Sequence, residues 1–89
     1  MPLSYNSVLT PGQCRAARGF LDWTQEDLAE RAQVSRSTVR DFEKGRHDLH
    51  RSTETMIVTA FRAAGIGFLS VGEGGPGVLL SAGNGAADR

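Results

Sequence analysis

At 89 residues the chain has room for one domain, and too little for a core plus an enclosed catalytic cleft. Its ten basic and ten acidic residues cancel to a formal charge of zero, which excludes a polycation that coats nucleic acid indiscriminately. No apolar run is long enough to cross a bilayer, Met1 to Asn6 lack the pattern of a signal peptide, and Cys14 is the single cysteine, so a reducing cytoplasm is the expected setting.

In chain order, residues 1–9 read as a loose N-terminal arm. Thr10-Pro11-Gly12-Gln13 then opens a helix: threonine caps free amides, proline suits the first helical position, and glutamine stands at the capping-box spacing. Cys14, Ala17, Phe20 and Leu21 form its apolar stripe, and Asp22-Trp23 ends it. Thr24 caps a second helix whose first turn carries Glu26 and Asp27, where the helix dipole favours negative charge, and whose inner side is Leu28, Ala29 and Ala32. After a break at Gln33-Val34, Ser35 caps a third helix from Arg36 to about Lys44, with Val39 and Phe42 inward and Gly45 as terminator. A polar link, Arg46 to Arg51, leads to a fourth helix over 52–64, for which Met56, Ile57, Ala60, Phe61 and Ala64 are the expected apolar face. Gly65 stops it. Residues 66–71 and 77–80 are extended candidates around a glycine-rich turn, which predicts a hairpin, and 81–89 read as a disordered tail. The expected fold is therefore mainly α: a four-helix helix-turn-helix domain over 10–65, followed by a short β-hairpin over 66–80.

The charge is unevenly distributed. Asp22, Glu26, Asp27 and Glu30 crowd the second helix, whereas Arg36, Arg40, Lys44, Arg46 and Arg51 place five fixed cations between 36 and 51, with His47 and His50 among them. Two capped helices joined by a short turn, with alanines where they approach, form the arrangement that presents the start of the second to the DNA major groove. About ten residues at the helical rise span roughly 15 Å, which suits a groove about 12 Å wide. Arg36 carries a donor fork matched to guanine, Ser37 is a short donor or acceptor, and Arg40 can read a base or clamp a phosphate. Asp41 can accept from a cytosine amine or orient one of the arginines. Thr24, Gln25 and Ser35 stand at helix starts, where phosphates bind; Thr38 suits a phosphate or a thymine methyl; Lys44, Arg46 and Arg51 are candidate phosphate contacts.

Residues 24–45, TQEDLAERAQVSRSTVRDFEKG, closely resemble the lambdoid phage repressor/Cro-like (XRE) helix-turn-helix superfamily, and the resemblance extends from about Thr10 to Gly65. Gln25, Leu28, Ala29, Val34, Ser35, Val39, Glu43 and Gly45 fall in step with it. It implies that Gln25 contacts a phosphate and buttresses the third helix, that Arg36, Ser37, Arg40 and Asp41 lie at or near base-reading positions, and that Glu43 pairs structurally with Arg18. The link Asp48-Leu49-His50-Arg51 departs from the proline-containing link usual there, and the hairpin after Gly65 belongs to a subset of small members.

The implied function is a sequence-specific double-stranded DNA-binding transcriptional regulator, a repressor or autoregulator acting as a homodimer through the hairpin. The alternatives are an antitoxin that binds its own promoter and a toxin protein, and a protein-interaction domain built on the same helices. No nucleophile–base pairing or paired carboxylate set marks an enzyme, and no metal, cofactor or membrane is implied. Cys14 reads as a small buried hydrophobe, Trp23 as packing at the corner between helices one and two, and the 72–77 glycines as a turn rather than a phosphate loop.

Overall fold

The structure is a computed structural model that describes residues 9–80. Four helices, α1 (Pro11–Leu21), α2 (Gln25–Ala32), α3 (Arg36–Glu43) and α4 (Arg51–Ala63), are followed by β1 (Ile66–Leu69), a single 3-10 turn and β2 (Gly77–Leu80). The strands pair antiparallel, Ile66 opposite Leu80 through to Leu69 opposite Gly77. Except for Leu9, the expected arm lies outside the described residues, as does the expected tail 81–89. Leu9 itself departs from the expectation of a loose arm, being buried with its N–H donating to a Glu54 carboxylate oxygen at 3.1 Å.

Capping explains where the helices begin. Thr10 and Thr24 each accept from the backbone N–H three residues on, and Gln13 and Asp27 answer with side-chain acceptors for the N–H of the capping threonine. The ends of α1 and α2 are less orthodox: Asp22 and Gln33 both adopt left-handed backbone, at φ 59° and 61°. That conformation lets the next amides fold back, Trp23 N–H onto Arg18 O and Val34 N–H onto Ala29 O, so orphan carbonyls are satisfied without glycine. Both helices end where the sequence placed their ends, at Asp22-Trp23 and Gln33-Val34, although neither cap is a glycine.

The core is Leu9, Cys14, Ala17, Leu28, Ala29, Ala32, Val39, Phe42, Ile57, Val58, Phe61 and Ile66. Two expected members are absent from it. Phe20 is 56% exposed and Met56 40% exposed. At 100° per residue the inner face of α1 centres on Cys14, Ala17 and Leu21, which leaves Phe20 on its flank. The inner face of α4 centres on Glu54, Ile57, Val58 and Phe61, so Val58 takes the place assigned to Met56. An aromatic chain runs across the bundle: Trp23 stacks on Phe61 at 5.7 Å between centroids, and Phe61 meets the edge of Phe68 in β1 at 5.8 Å. Arg31 also lies over Trp23, its guanidinium carbon 4.5 Å from a ring centroid.

The hairpin is fastened to the helices by polar contacts as well. Gln13 is 4% exposed. Its Oε1 accepts from Thr10 N–H at 2.8 Å while its Nε2 donates to Leu69 O at 2.9 Å and Gly77 O at 2.8 Å. One side chain thus caps α1 and clamps both strands at the turn end of the β1–β2 ladder. Gln13→Glu keeps the capping oxygen but turns a carboxylate onto two carbonyls, so it is expected to lower stability by about 1–3 kcal/mol at neutral pH, with part of the loss recovered in acid. Urea unfolding at two pH values checks this; equal stability at neutral pH means that the amide does not hold the hairpin.

Candidate nucleic-acid interface

The first and last turns of α3 are fixed by different chemistry. At the start, Ser35 Oγ accepts from Thr38 N–H at 3.1 Å and lies 2.7 Å from Thr38 Oγ1 and 3.2 Å from Ser37 Oγ. At the end stands Glu43, with 2% of its side chain exposed. Arg18 grips it with two parallel bonds, Nε to Oε2 at 2.8 Å and Nη2 to Oε1 at 2.7 Å. Cys14 Sγ donates to Oε2 at 3.0 Å and Gln25 Nε2 to Oε1 at 3.0 Å. The remaining reach of Arg18 goes to Trp23 O at 3.0 Å, and Arg15 donates to the Glu43 carbonyl. One carboxylate therefore joins the middle of α1, the first residue of α2 and the last residue of α3.

The electrostatics follow from this geometry. Burial alone would raise the Glu43 carboxyl above its ordinary value, but the hydrogen bonds from Arg18, Cys14 and Gln25, with the charge of Arg18, carry it below. Burial, reinforced by the adjacent carboxylate, pushes the Cys14 thiol well up, so it stays protonated and donates. Cys14 is thus a buried hydrogen-bond donor, a role beyond space filling that a lone cysteine in a helical stripe does not signal.

The remaining residues of α3 divide cleanly. Val39, Phe42 and Glu43 are buried and Thr38 is half-buried. Arg36, Ser37, Arg40, Asp41 and, just past the helix, Lys44 fall within one outward stripe, as their spacing of one, four, five and eight residues requires. Arg36 is largely exposed, and its nearest acid, Glu26 of α2, is 4.0 Å away. Arg40 Nε lies 3.3 Å from Asp41 Oδ1, also at the surface, so of the two arginines it is Arg40 that meets this aspartate.

The expected phosphate ligands are scattered around this stripe. Thr24 is exposed at the start of α2, where its N–H holds the Asp27 carboxyl below its ordinary range. Gln25 spends one amide hydrogen on Glu43. Arg46 and Arg51 are exposed on the link and in the first turn of α4. Beside the stripe, a cavity of about 500 Å³ opens between α3 and the link, lined by Ser37, Thr38 and Asp41 on one side and by His47, His50 and Thr53 on the other. Nothing in the sequence marked it, because it depends on how the link folds back beneath α3. Among the described residues no group of three or more histidines, cysteines or acids is placed to hold a metal ion, and no helix is long and apolar enough to cross a membrane.

Residues 12–65, well over half the chain, match the profile of a family described as a helix-turn-helix domain, of the repressor/Cro-like type. The comparison with curated proteins finds no match.

Breaking one partner of a buried pair leaves the other charge uncompensated, so Glu43→Ala is expected to cost about 3–5 kcal/mol at neutral pH. Because the folded carboxyl titrates below its ordinary value of 4.5, its contribution is complete above that value and disappears as pH falls through the folded one. The stability gap between wild type and Glu43→Ala should therefore close in acid. Thermal melts from about pH 3 to about pH 7, a range that brackets ordinary carboxyl titration, check it; a gap that is small, or flat with pH, contradicts a buried ionic junction.

Proposed function

Because the chain belongs to the repressor/Cro-like helix-turn-helix family, we propose that it is a sequence-specific double-stranded DNA-binding regulator of transcription that lays α3 in the major groove. The observation that carries this reading is the outward stripe of exposed Arg36, Ser37 and Arg40 with half-buried Asp41 beside them, on a helix whose other face is locked into the core. Eight helical residues span about 12 Å, the width of the groove. Arg36 stands at the first helical position, its only ion-pair partner among the described residues the exposed Glu26 at 4.0 Å, and offers its fork to guanine O6 and N7. Ser37 contributes a short polar contact. Arg40, steered by Asp41, reads a second base or the flanking phosphate.

Around this reading head, backbone amides and cations hold the duplex. The N–H groups at the start of α2, beside Thr24 and Gln25, and at the start of α3, beside Ser35 and Thr38, offer donors to phosphate oxygens. Lys44, Arg46 and Arg51 add charge along the neighbouring strand. Occupancy of the groove excludes other proteins, which suits a repressor or autoregulator acting on DNA in the cytoplasm. A single short helix reads only a few base pairs, so two copies on two half-sites supply the specificity a regulator needs.

Selection of bound sequences from random duplex DNA tests the function, and enrichment of paired half-sites is the expected result; recovery of no preferred sequence contradicts it. On the selected duplex, Arg36→Ala should weaken binding by about 1–3 kcal/mol and flatten discrimination at one base pair. Affinity should also fall with salt, by about 0.9 log units per phosphate contact for each tenfold rise. A flat salt titration contradicts the assignment of the cationic residues to the DNA backbone.

A further inference from the structure

An α-helix with its side chains is about as wide as the major groove, so residues on the flanks of an inserted helix meet the phosphates of the groove wall. The cavity between α3 and the link lies on such a flank. It shares Ser37 and Asp41 with the outward stripe, and its far side carries His47, Asp48, His50 and Thr53.

The charges around this cavity do not suit a polyanion while its histidines are neutral. Among the described residues, no lysine or arginine lines it. Asp41 faces it from α3, where Arg40 Nε lies 3.3 Å away, and Asp48 faces it from the link. From the start of α4 come Thr53 and the cap residue His50; the next acid of that helix, Glu54, is buried and receives the N–H of Leu9. Both imidazoles are exposed, and His50 makes no side-chain bond to the helix it caps, so its ring is not committed to the fold. Protonation of the two rings would offset the two carboxylates. It would also convert each ring into a donor at both nitrogens, the form that matches a phosphate oxygen. The hydroxyls of Ser37, Thr38 and Thr53 add further donors around the same opening.

We infer that His47 and His50 are further contacts to the DNA backbone that act as imidazolium ions, so that the chain takes up protons when it binds DNA. This rests on the proposed function and adds a form of regulation to it. Affinity becomes dependent on pH between about 5 and about 8, the range in which an imidazole changes its charge. Its sign follows from linkage: the complex holds more protons than the free chain, so affinity rises as pH falls.

Fluorescence anisotropy with the selected duplex, in phosphate-free buffers of constant ionic strength from about pH 8 to about pH 6, tests the inference on the full chain. Wild type should gain about tenfold in affinity over that span, and the double variant His47→Gln/His50→Gln less than about twofold. A second double variant, His47→Lys/His50→Lys, carries fixed charge and should bind at the alkaline end about as tightly as wild type does at the acid end. Wild-type affinity that is flat with pH overturns the inference. So does a glutamine variant with the wild-type slope, whether or not its affinity is uniformly lower, because the protons then belong to other groups and the rings are at most structural. The same titration separates this inference from the reading of function. A duplex bound equally at every pH removes the proton uptake alone; a chain that prefers no duplex at any pH removes the DNA reading, and the uptake with it.

Discussion

The Glu43 carboxylate is the constraint on which the remainder of the structure depends. A short helix such as α3 has little stability of its own; its position is set by what holds its ends. Val39 and Phe42 supply burial without direction, since apolar contact tolerates sliding and rotation. Glu43 supplies the direction. Its two oxygens receive four donors from three sites on the chain, and each bond has a narrow range of length and angle. The ionic junction contributes less through net attraction, which desolvation largely offsets, than through the cost of any arrangement that leaves it incomplete. That cost fixes the rotation of α3 about its own axis and hence which residues form its outward stripe.

The same physics separates the charges that hold the fold from those free to meet a partner. Arg18 and Glu43 are enclosed, where the effective dielectric constant is low and exchange for another ligand leaves a buried charge behind. Arg36 with Glu26 and Arg40 with Asp41 are solvent-exposed pairs, each worth less than about 1 kcal/mol and screened by salt. A phosphate or a base edge can replace their acids at little cost. A formal charge of zero is therefore compatible with binding a polyanion: the acids of α2 lie on one side of that helix, two acids, Glu43 and Glu54, are buried inside the fold, and exposed cations gather near α3 and the link.

Much of this was legible in the sequence because it rests on local rules. The caps at Thr10, Thr24 and Ser35, the terminating Gly45 and the apolar spacing of α2 and α3 depend on residues within a turn of each other, and the chain's mainly helical fold with a hairpin follows from them. What was not legible depends on long-range placement. Gln13 showed itself as a cap, but its second role requires Leu69 and Gly77, 56 and 64 residues away. The thiol of Cys14 and the amide of Gln25 meet at Glu43 only once three helices have packed. Phe20 and Met56 were misplaced for a related reason: apolar identity suggested burial, whereas the angle around each helix, set by its neighbours, decided against it. Glu54 shows the converse, a carboxylate buried in α4 where it receives the N–H of Leu9.

The central claim is that a buried junction at Glu43 holds α3 so that its outward stripe meets DNA. The most direct measurement is an amide chemical-shift titration of the protein with its selected duplex, run beside the free protein at several temperatures. The account predicts the largest shifts over Ser35 to Asp41 and at the first amides of α2, while the amides of Cys14, Arg18 and Glu43 keep their free-state shifts because that junction is already formed. Shifts concentrated on the hairpin or the outer side of α4, with residues 35–41 unmoved, would contradict it.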